Sequence, residues 1–260
     1  MGMKKALIGF TGFIGNNLLM QTEFEYKYNR KNIFDAENEE FDLVVCAAPS
    51  AEKWKANIEP ERDLHAINNL INSIENMRTK QFVLISTVDV YMNPFNVYEN
   101  TPMELTGLHP YGKNRYLLEE FVRHNFQDHL IIRLPALFGF GLKKNFLFDL
   151  LNDNCLAWTD CNSEFQFYNL AHLWHDMNLA IQNSIKTINI TSEPISANQL
   201  ALSCFNLDFR NRTEKPPVKY NVKSKHEYIY GGANGYMYEK RTIIQEIYEF
   251  IKLNQLNSKV

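Results

Sequence analysis

A short apolar run, Ala6-Leu7-Ile8, ends at Gly9; Gly12 and Gly15 follow at three-residue intervals, and a helical pattern through Leu18 and Leu19 begins there. Strand, tight turn and helix in that order restrict a chain more than its composition does, because backbone N–H groups at the head of the helix can then hold a pyrophosphate. Glycine at position 9 lets the chain leave the strand sharply. At position 12 it removes a side chain where a phosphate approaches the backbone, and at 15 it lets the helix pack closely on the strand. The spacing is G-x-x-G-x-x-G, a variant of the plain G-x-G-x-x-G dinucleotide fingerprint. Such glycines also suit a simple turn. Their place directly after a buried-type strand favours phosphate binding, with Gly9, Gly12, Phe13, Ile14 and Gly15 as the residues concerned.

Downstream, strand and helix patterns alternate. Phe24–Tyr28 reads as a second strand, and the end of such a strand meets the adenosine ribose. An acid there would bond the 2′-hydroxyl of NAD, whereas an arginine accommodates the 2′-phosphate of NADP. Asn29 and Arg30 stand at this position with no acid, which favours NADP(H) and leaves NAD(H) open; the alternative is that Arg30 and Lys31 are solvated loop charges. Phe41–Cys46 is a buried-type strand running into Ala47-Ala48-Pro49, small residues of the kind needed where backbone passes a cofactor. Leu64, Ile67, Leu70, Ile71 and Ile74 then recur at helical spacing. A strand over 81–86 continues through Thr87 to Tyr91, a polar loop carries Pro94, Pro102 and Pro110, and a helix starts at Tyr111. The strand His129–Pro135 closes the series.

This alternation implies parallel βαβ units, hence an α/β fold with a Rossmann-like, doubly wound parallel sheet. Beyond residue 140 the pattern loosens into helices over 146–151, 171–182 and 197–205, strands over 164–168 and 187–191, a basic irregular stretch over 208–225, and an amphipathic helix over 242–253. The expected organisation is a dinucleotide-binding core over 1–140 and a mixed segment over 141–260 that completes the sheet and forms a small C-terminal substrate lobe.

Bulk properties narrow the partners. With 260 residues, 45% of them apolar, the chain can bury a sizeable core. A formal charge of −3 argues against nucleic acid or an acidic membrane as the main partner. No apolar run approaches the length of a membrane span. Cys46, Cys155, Cys161 and Cys204 form no C-x-x-C pair, so reduced thiols in a cytoplasmic protein are the simpler expectation. His172 and His175 lie three apart, but no cysteine or carboxylate set completes a site, so they read as surface histidines and no metal is expected.

The chemistry concentrates in Thr87, Tyr111 and Arg115. Ligands in open α/β sheets bind outside the carboxyl ends of the strands, which is where Thr87 ends one strand and Tyr111 begins the helix leading to the next. Residues four apart share a helix face, so Arg115 lies beside Tyr111 while Lys113 points elsewhere. A phenol ionises at about 10, and a cation within a few Å favours its phenolate. A tyrosine tuned in this way can take a proton from an alcohol as hydride leaves the carbon, or return one to a carbonyl, while a threonine hydroxyl holds the same oxygen.

Five segments occur together over residues 4–140: the glycine turn, Cys46-Ala47-Ala48, Ser86-Thr87-Val88-Asp89-Val90-Tyr91, His109–Arg115 and Arg133–Gly139. In them the chain resembles an extended short-chain dehydrogenase/reductase of the NAD-dependent epimerase/dehydratase kind, many of which act on nucleotide sugars. The resemblance implies Thr87 as the hydroxyl residue, Tyr111 as acid/base, Arg115 as the group that binds the nicotinamide ribose and lowers the tyrosine pKa, and Pro135 as part of the nicotinamide wall. It also implies a homodimer built on the helices over 58–77 and 111–125, although Leu117, Leu118 and Phe121 equally suit a core.

Three departures stand out. Tyr-x-x-x-Lys is here Tyr-x-x-x-Arg, which keeps the charge but replaces a compact ammonium with a planar fork. The acid pair that follows the threonine in similar dehydratases is Val88-Asp89, so dehydration is not expected. The substrate lobe must also be reduced. The expected function is an NAD(P)-dependent oxidoreductase or epimerase acting on a nucleotide sugar or related keto/hydroxy substrate. The alternative from another class is a catalytically weak NAD(P)-binding sensor or assembly subunit. A structural domain with no cofactor is opposed by Gly12. The basic residues between Arg210 and Lys225 could meet a substrate diphosphate or simply be a solvated face.

Overall fold

The computed structural model describes residues 2–37 and 39–257. The chain runs β1 (Lys5–Ile8), α1 (Phe13–Leu19), β2 (Tyr26–Tyr28), β3 (Glu40–Cys46), α2 (Lys53–Ile58), α3 (Pro60–Ile74), β4 (Arg78–Thr87), β5 (Phe95–Val97), α4 (Pro110–Asn125) and β6 (His129–Leu134). Then follow β7 (Ala136–Phe138), α5 (Phe146–Asn152), β8 (Glu164–Phe165), β9 (Phe167–Asn169), α6 (Leu173–Gln182) and β10 (Thr187–Asn189). The last elements are β11 (Ile195–Ser196), α7 (Ala197–Phe205), β12 (Asn221–Val222) and α8 (Lys240–Asn257).

One unit comprises Met1–Asn93, Asn100–Leu134 and Leu173–Ile188. Its sheet has six strands in the order β10-β6-β4-β3-β1-β2, with β2, β1, β3, β4 and β6 pairing in parallel. Leu7 in β1 is flanked by Lys27 and Val45, and Val83 by Val45 and Leu130. Helices cover both faces of such a sheet, which is why Val44, Val45, Phe82 and Val83 are all fully buried in unbroken apolar runs. The strand order reverses between β1 and β3, the place where open α/β sheets leave a crevice for ligands. On one face Ile67 and Ile74 of α3 and Leu118 and Val122 of α4 pack with Ile8, Val44 and Ile131, and Phe82 stacks on Phe126 at 4.1 Å. Leu118 and Phe121 belong to this core, whereas Leu117 is 41% exposed.

The other unit comprises Pro94–Glu99, Pro135–His172 and Asn189–Val260. Its described residues form the two-stranded sheets β11-β8, β12-β5 and β7-β9 and a core that includes Phe138, Phe146, Phe167, Leu200 and Ile247. Within the basic stretch, Arg210 pairs with Asp208 at 2.6 Å and Arg212 with Asp160 at 3.5 Å. His172 pairs with Glu246 at 2.9 Å and stacks on Tyr238. Among the described residues no group of three or more His, Cys, Asp or Glu is placed to hold a metal, and all four cysteines are free.

Several boundaries differ from expectation, each for a local reason. The strand over 81–91 stops at Thr87, whose side chain accepts the Asp89 N–H at 3.1 Å and starts a helical turn over 88–90. The helix pattern after β3 breaks between α2 and α3 at Pro60, which has no N–H to continue the ladder. The strand over 164–168 is split at the buried Gln166, whose amide bonds Val222 and Ser192 instead. The loop after Tyr91 contains β5, which pairs with the distant β12.

Candidate active site

The glycine turn is held by backbone. Gly9 has φ +88° and donates its N–H to Tyr28 O at 2.8 Å; a Cβ there would stand 2.6 Å from Ala47 O. Gly9 thus serves a left-handed turn and brings the end of β1 against the Ala47-Ala48 segment. A Cβ on Gly15 would lie 2.3 Å from Gly9 O, so α1 rests directly on the turn. Gly12 differs: it caps α1, and the only atom within 4 Å of a Cβ there is Gly9 O at 3.3 Å. A Cβ at position 12 would thus need Gly9 O to give by only a few tenths of an ångström, far less than at positions 9 and 15. Phe13 and Ile14 open α1. At the end of β2, Asn29 turns its side-chain oxygen back to the Lys31 N–H at 2.8 Å, leaving Arg30 exposed.

Tyr111 is brought to β4 by the start of α4. His109 caps the helix, its Nδ1 accepting the Gly112 N–H at 3.0 Å. Burial and the neighbouring Lys53 lower the His109 pKa, which keeps this nitrogen an acceptor. The Tyr111 N–H is taken by Asn57 Oδ1 of α2 at 3.1 Å. A Cβ on Gly112 would meet Asp89 O at 2.3 Å, so glycine lets α4 press against the turn after β4. There Thr87 faces the Tyr111 phenol and pulls its pKa down.

A pocket gathers Ile14 from α1, Ala47, Pro49 and Ala51 beyond β3, Ile85, Ser86 and Thr87 at the end of β4, and Tyr111 and Arg115 from α4. It therefore unites residues from the glycine turn with Thr87, Tyr111 and Arg115. Pro135 belongs to the other unit, between β6 and β7.

Arg115 is 3% exposed, and its guanidinium carbon lies 4.3 Å from the centre of the Tyr111 ring. Nη1 and Nη2 contact the two oxygens of Asp63 at 2.7 and 3.0 Å, and Nη2 also donates to Ser50 O. Asn114 Nδ2 adds a bond to Asp63 at 2.9 Å. Burial alone would raise the Asp63 pKa, but the hydrogen bonds from Arg115 and Asn114 outweigh it and hold the carboxyl below its ordinary value. The Tyr111 hydroxyl is pushed up to about 12: burial dominates, and the opposing pull of Arg115 does not offset it. Arg115 thus pulls the Tyr111 pKa down, as expected, but the net shift is upward, because desolvation of the phenolate exceeds the effect of a cation already paired with a carboxylate.

Sequence reasoning missed Asp63, Asn57 and Ser50. Asp63 shares the first turn of α3 with Glu61 and resembles any helix-start acid, and only folding places it against Arg115. Glu119 was also missed, although it lies four residues beyond Arg115 on the same helix and bonds both Ser86 and Arg133.

No protein-family model matches the sequence, and no curated protein matches it. Among solved structures, a dTDP-4-dehydrorhamnose reductase from Clostridium acetobutylicum superposes with a TM-score of 0.74 at 17% identity, over 97% of this chain and 100% of that one. The corresponding enzyme from Bacillus anthracis, in complex with NADP, gives 0.74 at 16% identity over 96% and 98%. A UDP-N-acetylglucosamine 4-epimerase from Methanobrevibacter ruminantium, in complex with UDP-N-acetylmuramic acid, gives 0.72 at 14% identity over 99% of both chains. At these identities the likeness establishes the Rossmann-like fold.

Proposed function

We propose that this chain is an NAD(P)-dependent oxidoreductase or epimerase acting on a nucleotide sugar or related keto/hydroxy substrate, with NADP(H) as preferred cofactor and Tyr111 as acid/base. The observation that carries it is that Ile14 of the glycine turn, Ala47, Thr87, Tyr111 and Arg115 line one pocket. Its place at the strand-order reversal agrees with ligand binding in this class of sheet. Two reductases and an epimerase of nucleotide sugars share the fold, and one of the reductases binds NADP.

The residues fit a dinucleotide on two counts. Arg115 Nε is buried with no hydrogen-bond partner, a donor awaiting a ligand oxygen. Gly12 leaves an open face beside the turn, where a Cβ would meet Gly9 O at 3.3 Å and nothing else beyond its chain neighbours. Gly9, Gly12, Phe13, Ile14 and Gly15 would hold the phosphates, Asn29 and Arg30 the adenosine ribose, Ala47 and Ala48 the backbone path, and Arg115 the nicotinamide end. When bound, the nicotinamide supplies or accepts hydride.

Tyr111 carries its proton at neutral pH, which suits it to donate that proton to a carbonyl oxygen as the carbonyl is reduced. Thr87 Oγ1 is oriented by the Asp89 N–H and shares the same oxygen. We take the assembly to be a homodimer through α3 and α4, with Leu117 facing the partner.

Titration with NADPH and with NADH, followed by nicotinamide fluorescence, tests the cofactor assignment. Tight NADPH and weak NADH binding supports it, and keto-sugar nucleotides are then the substrates to screen. Binding of neither removes the enzyme proposal.

A further inference from the structure

The arginine in place of lysine comes with a partner of its own. Both terminal nitrogens of Arg115 face the two oxygens of Asp63, at 2.7 and 3.0 Å, in the end-on fork that suits a planar guanidinium and that no ammonium can make. The side chains are only 3% and 10% exposed. The three bonds that Asp63 accepts all come from α4, from Asn114 and Arg115, so the carboxylate fixes that stretch of helix as well as the guanidinium. The opposite edge of the fork carries Nε, the nitrogen without a partner.

We propose that Asp63 is a positioning residue of this site: its carboxylate clamps the terminal nitrogens of Arg115, so that Nε is the edge offered to a hydroxyl-bearing ligand and the guanidinium charge is directed at Asp63 rather than at the Tyr111 oxygen. The consequence is a site biased toward proton donation, the reductive direction. That consequence rests on the role given to Tyr111 above; the clamp itself does not.

Several charged groups act on Tyr111: Arg115 on its own helix, Asp63 from α3 and Asp89 from the turn after β4; the His109 ring, just before α4, lies 6.2 Å away between ring centres. Lys53 of α2 reaches Asp89 at 2.7 Å. Both cations of this group, Arg115 and Lys53, thus have a carboxylate at 2.7 Å, and removing the one on Asp63 leaves the cation nearest the phenol unbalanced.

The test needs neither cofactor nor substrate. Subtracting the alkaline phenolate absorbance titration of Tyr111→Phe from that of the unaltered chain isolates Tyr111. The same subtraction in an Asp63→Asn background isolates it without the carboxylate charge. The Tyr111 titration is expected to fall by about 1 pH unit or more in Asp63→Asn, since an unpaired cation within a few Å favours the phenolate; an unmoved titration overturns the proposal. A carboxylate with only a structural role would change stability and leave the titration in place.

Should Asp63→Asn fail to fold, as judged by circular dichroism, the same subtraction is made in Asp63→Ser, which removes the charge in a smaller side chain and leaves the arginine in place. Its Tyr111 titration is expected to fall as well, and an unmoved one overturns the proposal. Absence of NADPH binding by the unaltered chain would remove the proposed function without altering what these titrations decide.

Discussion

Glu119 and Arg133 form a two-point ion pair in which neither side chain exposes more than 1% of its surface, with Arg133 Nη2 2.6 Å from Glu119 Oε2 and Nε 3.0 Å from Oε1. The pair ties three elements together. Ser86 at the end of β4 donates to Glu119 Oε1 at 2.6 Å, and Arg133 of β6 donates to the Tyr91 hydroxyl at 2.7 Å. Glu119 itself lies on α4, two turns beyond Tyr111. The strand end that carries Thr87 is thereby fixed to the helix that carries Tyr111.

Glu119→Gln leaves the Arg133 guanidinium buried without a counter-charge. Breaking such a pair from one side costs about 3–5 kcal/mol. Urea denaturation should show a loss of this size, and a loss below about 1 kcal/mol, the value of an exposed pair, would contradict the assignment.

The glycines of the turn separate fold from ligand. Gly15→Ala drives a Cβ to 2.3 Å from Gly9 O and 2.7 Å from Phe10 Cα, both backbone atoms, so the turn must move and stability must fall. Gly12→Ala meets only Gly9 O at 3.3 Å, at an ordinary φ of −81°. It should change stability by less than about 1 kcal/mol, within the range of substitutions that leave buried groups intact. Its NADPH affinity should nevertheless drop about tenfold or more, the effect of about 1.4 kcal/mol. Thermal melts and fluorescence titrations of both variants check the pair, and unchanged NADPH binding in Gly12→Ala would refute phosphate contact there.

Tyr111 also makes alkaline stability a diagnostic. Its folded pKa of about 12 exceeds the ordinary 10.0, so the folded chain holds this proton where the unfolded chain releases it. The contribution is complete below pH 10 and is lost as pH rises toward 12. Over that interval the unaltered chain should lose about 2–3 kcal/mol more than Tyr111→Phe, at about 1.4 kcal/mol per pH unit. Parallel stability curves for the two would show that Tyr111 is not held as a buried phenol.

Arg30→Ala tests the cofactor preference. Arg30 is exposed, so its removal should leave the melting temperature unchanged. A charged hydrogen bond contributes about 1.5–3 kcal/mol, so the NADPH-over-NADH preference should shrink by about tenfold or more. An unaltered ratio would return Arg30 to the solvated loop charges.

The sequence by itself determined the alternation of buried strands and helices and the glycine turn, and it marked Thr87, Tyr111 and Arg115 as a set. Each rests on local periodicity or on spacing along one element. Gly9 and Gly15 are legible because their backbone contacts lie within a few residues or at the neighbouring strand end. Tertiary structure alone decided what the arginine pairs with. Asp63, Asn57 and Ser50 precede α4 by some fifty residues or more and reach it only when α2 and α3 pack on that helix. It also set the state of Tyr111: a cation four residues along the helix suggests a lowered pKa, but burial of the phenol and the carboxylate on Arg115 are properties of the packed chain, and they raise it. Desolvation and ion pairing depend on what surrounds a group in three dimensions, and spacing along one helix records only part of that.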